Sequence, residues 1–389
     1  MKVIFFTHPD FLGHQSMPRF AKMLSDGMQD RGHDITMWSP VAKFSQLPAP
    51  AFLKKWMGYI DQFIVFPRRV KKLLKNTDQN TLFVFTDHAL GPWVLLVADK
   101  PHVIHCHDFL AQRSASNEIE ENPTSYTGKI YQKMIRNGYS KGKNFISVSQ
   151  KTKEDLHRFL NKKPAISEVV YNGMNGSFTP QNVTEVRETL SKTTNIDLTA
   201  GYLLHVGGNQ WYKNRVGIIE IYNALRSSYK TNLPLLLIGE NPDVALVSTH
   251  ETSAYKKDIH FLVGINDATV KKAYAGATLL LYPSYDEGFG WPIAEAMASG
   301  CPVITTNEPP MTEVAASAAF LIPKRTITNK NHWAADAAKK AHQLLSLTPN
   351  ERATVVKNGL ENVKRFDQKK TLDAIEKIYS SILANPVER

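Results

Sequence analysis

Two carboxylates, Glu287 and Glu295, stand eight residues apart in Asp286-Glu287-Gly288-Phe289-Gly290-Trp291-Pro292-Ile293-Ala294-Glu295-Ala296-Met297-Ala298-Ser299-Gly300. Gly288 and Gly290 let the backbone turn sharply and bring N–H groups near a ligand. Pro292 suits the first position of a helix that Gly300 then ends. A helix start offers unpaired donors and a positive dipole end, which suit phosphate or sugar oxygens. Glu295 is expected in the first turn, where the dipole keeps it ionised. An ionised carboxylate only accepts hydrogen bonds, as a vicinal diol such as ribose O2/O3 requires. Glu287, on the loop, is expected to grip another part of the same elongated molecule. The bland alternative, a helix end beside a surface glutamate, leaves two glycines and Phe289 unexplained.

A second cluster, His102-Val103-Ile104-His105-Cys106-His107-Asp108, holds the side-chain types that bind zinc. On a strand His105 and His107 share a face, but no second ligand pair with metal spacing lies nearby. His105 and Cys106 therefore read as packing residues, and a structural role for His107 stays open. No metal is expected.

These segments need a scaffold. Short apolar runs alternate with helix-period segments throughout, the pattern of α/β domains with parallel sheets. Strands are expected at Lys2–Thr7, Asp34–Trp38, Thr81–Thr86, His102–His105, Asn144–Val148 and Val169–Tyr171. A second set is expected at Tyr202–Val206, Leu233–Ile238, Ile259–Leu262, Thr278–Tyr282, Pro302–Thr305 and Ala319–Ile322. Pro18–Arg31 reads as a helix ended by Gly32. Tyr171–Asn182, rich in Asn, Gly, Ser and Pro, marks the break. Two doubly wound, Rossmann-like domains facing each other across a cleft are expected, over 1–175 and 176–365, with a C-terminal helix at 366–389 able to cross back to the first. Ligands of such sheets sit at the carboxyl ends of the strands.

The chain has 389 residues, 42% hydrophobic and 21% charged, which fits folded domains rather than disorder. No apolar run reaches the ~18–20 residues needed to span a bilayer, and the N-terminus lacks the pattern of a signal peptide. Cys106 and Cys301 are too few for a disulfide framework, so a reducing cytoplasm is expected. The formal charge of +11 is uneven: residues 1–180 hold 24 basic against 15 acidic side chains, the rest 23 against 21. A basic half suits an anionic partner or merely a solvated face. Trp56, Tyr59, Ile60, Phe63 and Ile64 recur at helix spacing ahead of the basic run Pro67–Lys75. That stripe reads either as an interfacial membrane helix or as a helix packed on the sheet. No G-x-G-x-x-G appears, which argues against a nicotinamide or flavin enzyme, and no nucleic-acid-binding pattern is evident.

The E-x7-E arrangement inside EGFGWPIAEAMASGCPVI resembles the donor-site signature of family 4 glycosyltransferases, retaining enzymes of the GT-B fold. Gly13-His14, Arg31-Gly32-His33-Asp34, Val148-Ser149, Tyr171-Asn172-Gly173, His205-Val206-Gly207 and Lys213-Asn214 resemble further landmarks of that family. The likeness runs from about residue 2 to residue 365. It implies a GT-B fold and transfer of a hexose from a nucleotide-diphosphate sugar, UDP-glucose by family frequency, to a saccharide or lipid-linked acceptor in polysaccharide or envelope assembly. Glu287 and His107 are implied to act at the transferred sugar. Gly13, Gly207, Gly208, Asn209, Lys213, Val263, Gly288, Phe289, Gly290 and Glu295 are implied to bind the donor. Asp87 and His88, at a strand end, are acceptor-side candidates. Leaving-group charge must meet cations or N–H donors when no metal serves. Lys213 fits that need, or is an ordinary surface lysine. Many relatives carry an arginine where Gly208 stands. Arg215 is then a substitute, or points into solvent. Nucleotide-sugar epimerisation, glycoside hydrolysis with paired carboxylates, and non-enzymatic binding of a membrane surface or nucleic acid are the competing readings. The expected location is the cytoplasm, with the inner face of the plasma membrane as a place of peripheral attachment.

Overall fold

The computed structural model describes residues 1–13, 16–174, 176–326 and 328–384, with the backbone alone at 51, 330 and 331. Two compact units divide the chain: Met1–Gly173 together with the segment from Lys369, and Met174–Gln368.

The first unit carries β1 (Lys2–Phe6), β2 (Asp34–Trp38), β3 (Thr81–Phe85), β4 (His102–Cys106), β5 (Asn144–Ser147) and β6 (Ile166–Val169). Their order is β2-β1-β3-β4-β5-β6, with every pairing parallel. The winding reverses between β1 and β3, so a crevice opens at their carboxyl ends. Strands covered on both faces need apolar residues throughout, and β3 and β4 are buried along their whole length. Alternation sends Ile4 and Phe6 into one core cluster, Val3 and Phe5 into another. The sixth strand lies at Ile166–Val169 rather than the expected Val169–Tyr171, because Ile166 to Val169 pair in register with Asn144 to Ser147. Half-exposed Ser167 and exposed Glu168 on that edge hid it from an apolar-run reading.

The helix Gln368–Ala384 belongs to this unit: Leu372, Ile375, Tyr379 and Ile382 complete the cluster around Val3 and Phe5. Arg31 donates to Asp373 at 2.7 Å, and His33 bonds Glu376 at 2.6 Å. His105 reaches the Tyr379 hydroxyl at 2.7 Å beneath the same helix, which fits its reading as a packing residue.

The expected aromatic stripe divides between two environments. Tyr59 stacks on Tyr131 at 5.7 Å and Phe63 meets the same ring at 6.1 Å, whereas Trp56 is 59% exposed beside Phe52 at 72%. The loop ahead is rigidly held: the buried Asp61 carboxylate accepts N–H bonds from Lys43, Phe44 and Ser45 at 2.9–3.1 Å. Among the described residues no helix is long and apolar enough to cross a membrane.

The second unit repeats the design with β7 (Leu203–Val206), β8 (Leu235–Gly239), β9 (Ile259–Val263), β10 (Leu279–Tyr282), β11 (Val303–Thr306) and β12 (Phe320–Ile322). The order is β12-β11-β10-β7-β8-β9, again all parallel. Here the reversal falls between β7 and β10, which pair Leu203 with Leu279. The loops after these two strands, Gly207–Lys213 and Pro283–Gly290, therefore flank one crevice although some seventy residues separate them in sequence.

Candidate functional site

That switch point brings Lys213 and Glu287 together. The short turn Trp211–Lys213 ends at Asn214, whose side chain accepts from the Gly217 N–H at 3.2 Å and caps the helix Arg215–Tyr229. Lys213 Nζ donates to Glu287 Oε1 at 2.8 Å, to Glu287 Oε2 at 3.0 Å and to Tyr282 Oη at 2.8 Å. The Tyr282 hydroxyl donates in turn to Glu287 Oε1 at 2.5 Å. Burial, and then the neighbouring Glu287 charge, push the Tyr282 phenol well above its ordinary range, so it stays a donor. Glu287 lies on the loop as expected, but it is engaged rather than free, with its side chain only 7% exposed.

Beneath this trio lies His205. Its Nδ1 bonds Leu281 O at 3.1 Å, its ring packs on Tyr282, and burial pushes it down to about 3. A Cβ on Gly207 would sit 2.9 Å from His205 Nε2, so glycine is what lets the loop cross this ring.

The helix Trp291–Ala298 begins directly at Gly290, whose φ of 103° is a left-handed value that disfavours other residues. No side chain caps it; Pro292 carries no N–H and the Ile293 N–H goes to Gly290 O at 3.1 Å, so the N–H groups at Gly290 and Trp291 are the ones a ligand at this end would meet. Because the helix starts one residue ahead of Pro292, Glu295 falls beyond the first turn. This corrects the expectation that the dipole holds it. Instead its Oε2 accepts from the Tyr274 hydroxyl at 2.8 Å. Phe289 is buried, as its sequence setting suggests: its ring lies edge-on against Phe366 at 5.3 Å and Trp291 at 5.4 Å, which anchors the loop. Gly288 lies beside it on the loop. Val263, the last residue of β9, is 40% exposed at the same sheet edge.

The loop after β7 fixes the surroundings of Asn209 and Arg215. The Asn209 amide is engaged on both sides, its oxygen by Arg215 Nη1 and its nitrogen by Asn241 O, while its backbone N–H donates to Glu240 Oε2 at 3.1 Å. Asn209 thus shapes the loop. Arg215 does not point into solvent: it is 5% exposed, donates to Glu240 O at 3.2 Å, and buries Nε and Nη2 with no partner among the described residues. Gly208 stands where the family resemblance leads one to expect arginine. A Cβ there would meet Gln210 Oε1 at 2.7 Å and Glu240 Cδ at 3.1 Å, the ends of two exposed side chains that would have to move aside.

In the first unit, His107 ends β4. Its Nε2 bonds Thr86 O at 2.8 Å, which requires the N–H on that nitrogen and leaves Nδ1 as the acceptor. Burial lowers its pKa despite the nearby Asp87, so the ring is neutral. Phe20 packs edge-on at 4.4 Å. Asp87 is buried, accepts from the Ala89 N–H at 3.1 Å, and bonds His8 Nε2 at 2.8 Å. Burial would raise its carboxyl, but His88 and His8 outweigh that and hold it well below the ordinary range. His88 is buried, with its ring 4.3 Å from Phe109 and its Nδ1 3.0 Å from Asp87 Oδ1. Gly13 adopts a left-handed φ of 67° after a short turn; His14 lies outside the described residues. No group of three His, Cys, Asp or Glu side chains among the described residues is arranged to hold a metal ion.

Tyr274, Tyr282, Glu240 and His8 are missing from the sequence reading. Only Tyr282, ending the strand before the E-x7-E loop, carried a usable signal.

Comparison with known proteins agrees with this architecture. Residues 17–177 match the model described as Glycosyltransferase Family 4, and residues 186–362 the model described as Glycosyl transferases group 1. The sucrose-phosphate synthase structure from Thermosynechococcus elongatus superposes with a TM-score of 0.74 at 16% identity, over 99% of this chain and all of that one. Anabaena HepE, solved with UDP and glucose, gives 0.70 at 14% identity over 98% and 100%. This is the GT-B fold, and the chain belongs to the family 4 glycosyltransferases. Its sequence is also 26% identical over 242 residues to O-antigen chain mannosyltransferase B of Escherichia coli. That match takes in 61% of this chain and spans 60% of the relative's length.

Proposed function

We propose that this chain transfers a hexose from a nucleotide-diphosphate sugar to a saccharide or lipid-linked acceptor in envelope polysaccharide assembly. The observation that carries the reading is the meeting of Lys213 and Glu287 at the β7/β10 switch point, beside an uncapped helix start. Lys213 and the helix N–H groups take the diphosphate, Glu287 the sugar hydroxyls, Glu295 the ribose diol, and backbone near Val263 the base. His107 accepts from a sugar or acceptor hydroxyl through Nδ1. UDP-glucose is the proposed donor. The UDP and glucose held by HepE support it, whereas the O-antigen relative is named for mannose, so a GDP-mannose arm belongs in every donor test.

Reaction proceeds with retention. The bond from the anomeric carbon to the phosphate oxygen breaks, the acceptor oxygen bonds the same face, and the departing phosphate takes the acceptor's proton. The leaving charge is met by Lys213 and N–H donors with no metal required. The test is nucleoside-diphosphate release from a donor panel with and without a lipopolysaccharide-core or lipid-linked acceptor, followed by NMR of the anomeric proton. Acceptor-dependent release and an axial product linkage from an axial donor are expected. Release indifferent to acceptor, or an inverted linkage, overturns the reading.

The exposed apolar segment comprising Val41, Phe44, Leu47, Phe52, Leu53 and Trp56, beside Lys54 and Lys55, supports peripheral attachment to the inner face of the plasma membrane. Sedimentation with phosphatidylglycerol vesicles, reduced in Phe52→Ser/Trp56→Ser, is the expected result. Equal sedimentation of variant and wild type refutes it.

A further inference from the structure

Lys213 donates three hydrogen bonds, two to Glu287 and one to Tyr282, so its ammonium has no hydrogen left for a phosphate. The pair is largely enclosed, with side-chain exposures of 13% and 7%. We infer that Glu287 and Tyr282 form an exchange clamp that makes this site discriminate against bare nucleoside diphosphate in favour of the sugar-bearing donor. The inference rests on the proposed placement of diphosphate at Lys213.

A diphosphate can claim Lys213 only by taking it from Glu287. Removing one partner of an enclosed ion pair leaves the other charge uncompensated, which is costly unless new donors reach it. A nucleotide sugar supplies those donors as sugar hydroxyls, and the Tyr282 hydroxyl, already 2.5 Å from Oε1, stays in place. A bare nucleoside diphosphate brings up to one negative charge more, close to the displaced carboxylate, and no hexose hydroxyls to bond it. Glu287 is then held by Tyr282 alone and competes for Lys213. Because a ligand shifts an equilibrium only by its differential affinity for the two states, the clamp opens readily for donor and recloses on product, which speeds product release. Tyr282 is a positioning residue here: it acts on Glu287, not on the reacting atoms.

The two partners make opposite predictions. Glu287→Gln keeps the shape but removes the competing charge, so UDP and GDP, tested separately by calorimetry, bind about five- to tenfold tighter than to wild type while turnover collapses. Tyr282→Phe removes the last donor to a displaced Glu287, so the diphosphate weakens about threefold or more relative to its sugar-bearing form and the ratio of the two affinities widens. Unchanged or weaker diphosphate binding by Glu287→Gln, with a wild-type melting curve, overturns the clamp; so does a narrowed ratio in Tyr282→Phe. Lys213→Ala separates the two levels. Unaltered diphosphate affinity there refutes the placement itself, whereas a loss there without tightening in Glu287→Gln refutes only the exchange.

Discussion

Acidification should weaken both units before their carboxylates titrate, and buried histidines, His105 and His205 above all, set the size of the effect. His105 in the first unit and His205 in the second are each pushed down to about 3, by burial above all. In the unfolded chain an imidazole titrates near 6.5. A folded pKa below the unfolded one means the unfolded state binds the proton first. Each histidine's stabilisation is therefore complete above about pH 6.5 and declines as pH falls from there toward about 3. The slope is about 1.4 kcal/mol per pH unit for each, so by about pH 5 each of these two histidines has cost its unit about 2 kcal/mol. Asp87, held low by its histidine neighbours, loses its contribution only in a lower window, below the ordinary carboxylate range. The assay is native-state hydrogen exchange at about pH 7 and pH 5, corrected for intrinsic rates, comparing peptides from β4 with peptides from β7. His105→Gln should flatten the pH dependence of the first unit by one histidine's worth and leave the second unchanged. An unaltered slope in β4 peptides of that variant would refute the reasoning.

Glu295→Ala should weaken nucleoside-diphosphate binding about tenfold, because the carboxylate that Tyr274 holds is the one proposed to take the ribose diol; equal affinity by calorimetry removes it from the nucleotide site. Arg215→Met should lower donor affinity by freeing Asn209, while the melting temperature stays level or rises as a buried cation with two unpartnered donors is replaced by an apolar chain. A large fall in melting temperature would show instead that Arg215 holds the fold.

The strands were legible because central parallel strands, covered on both faces, must be apolar from end to end, as Leu279–Tyr282 is. The crossings that carry Glu287, Glu295 and Lys213 were legible because glycines and a proline punctuate them. What could not be read was pairing at a distance. Tyr282 meets Lys213 only because β10 returns to lie beside β7, and no local pattern announces that return. Arg215 misled for a simpler cause: arginine reads as a surface residue unless its partners are known, and its partners, Asn209 and the Glu240 carbonyl, come from two separate loops.

Because the helix Gln368–Ala384 completes the first unit, the earliest-made half of this chain is also the last to be finished. During synthesis the flank formed by Val3, Phe5, Leu82 and Val84 must wait, incompletely sheltered, until some two hundred intervening residues have emerged and folded on their own. A chain halted near residue 365 would lack Leu372, Ile375, Tyr379 and Ile382, and so leave that apolar flank of the first unit uncovered.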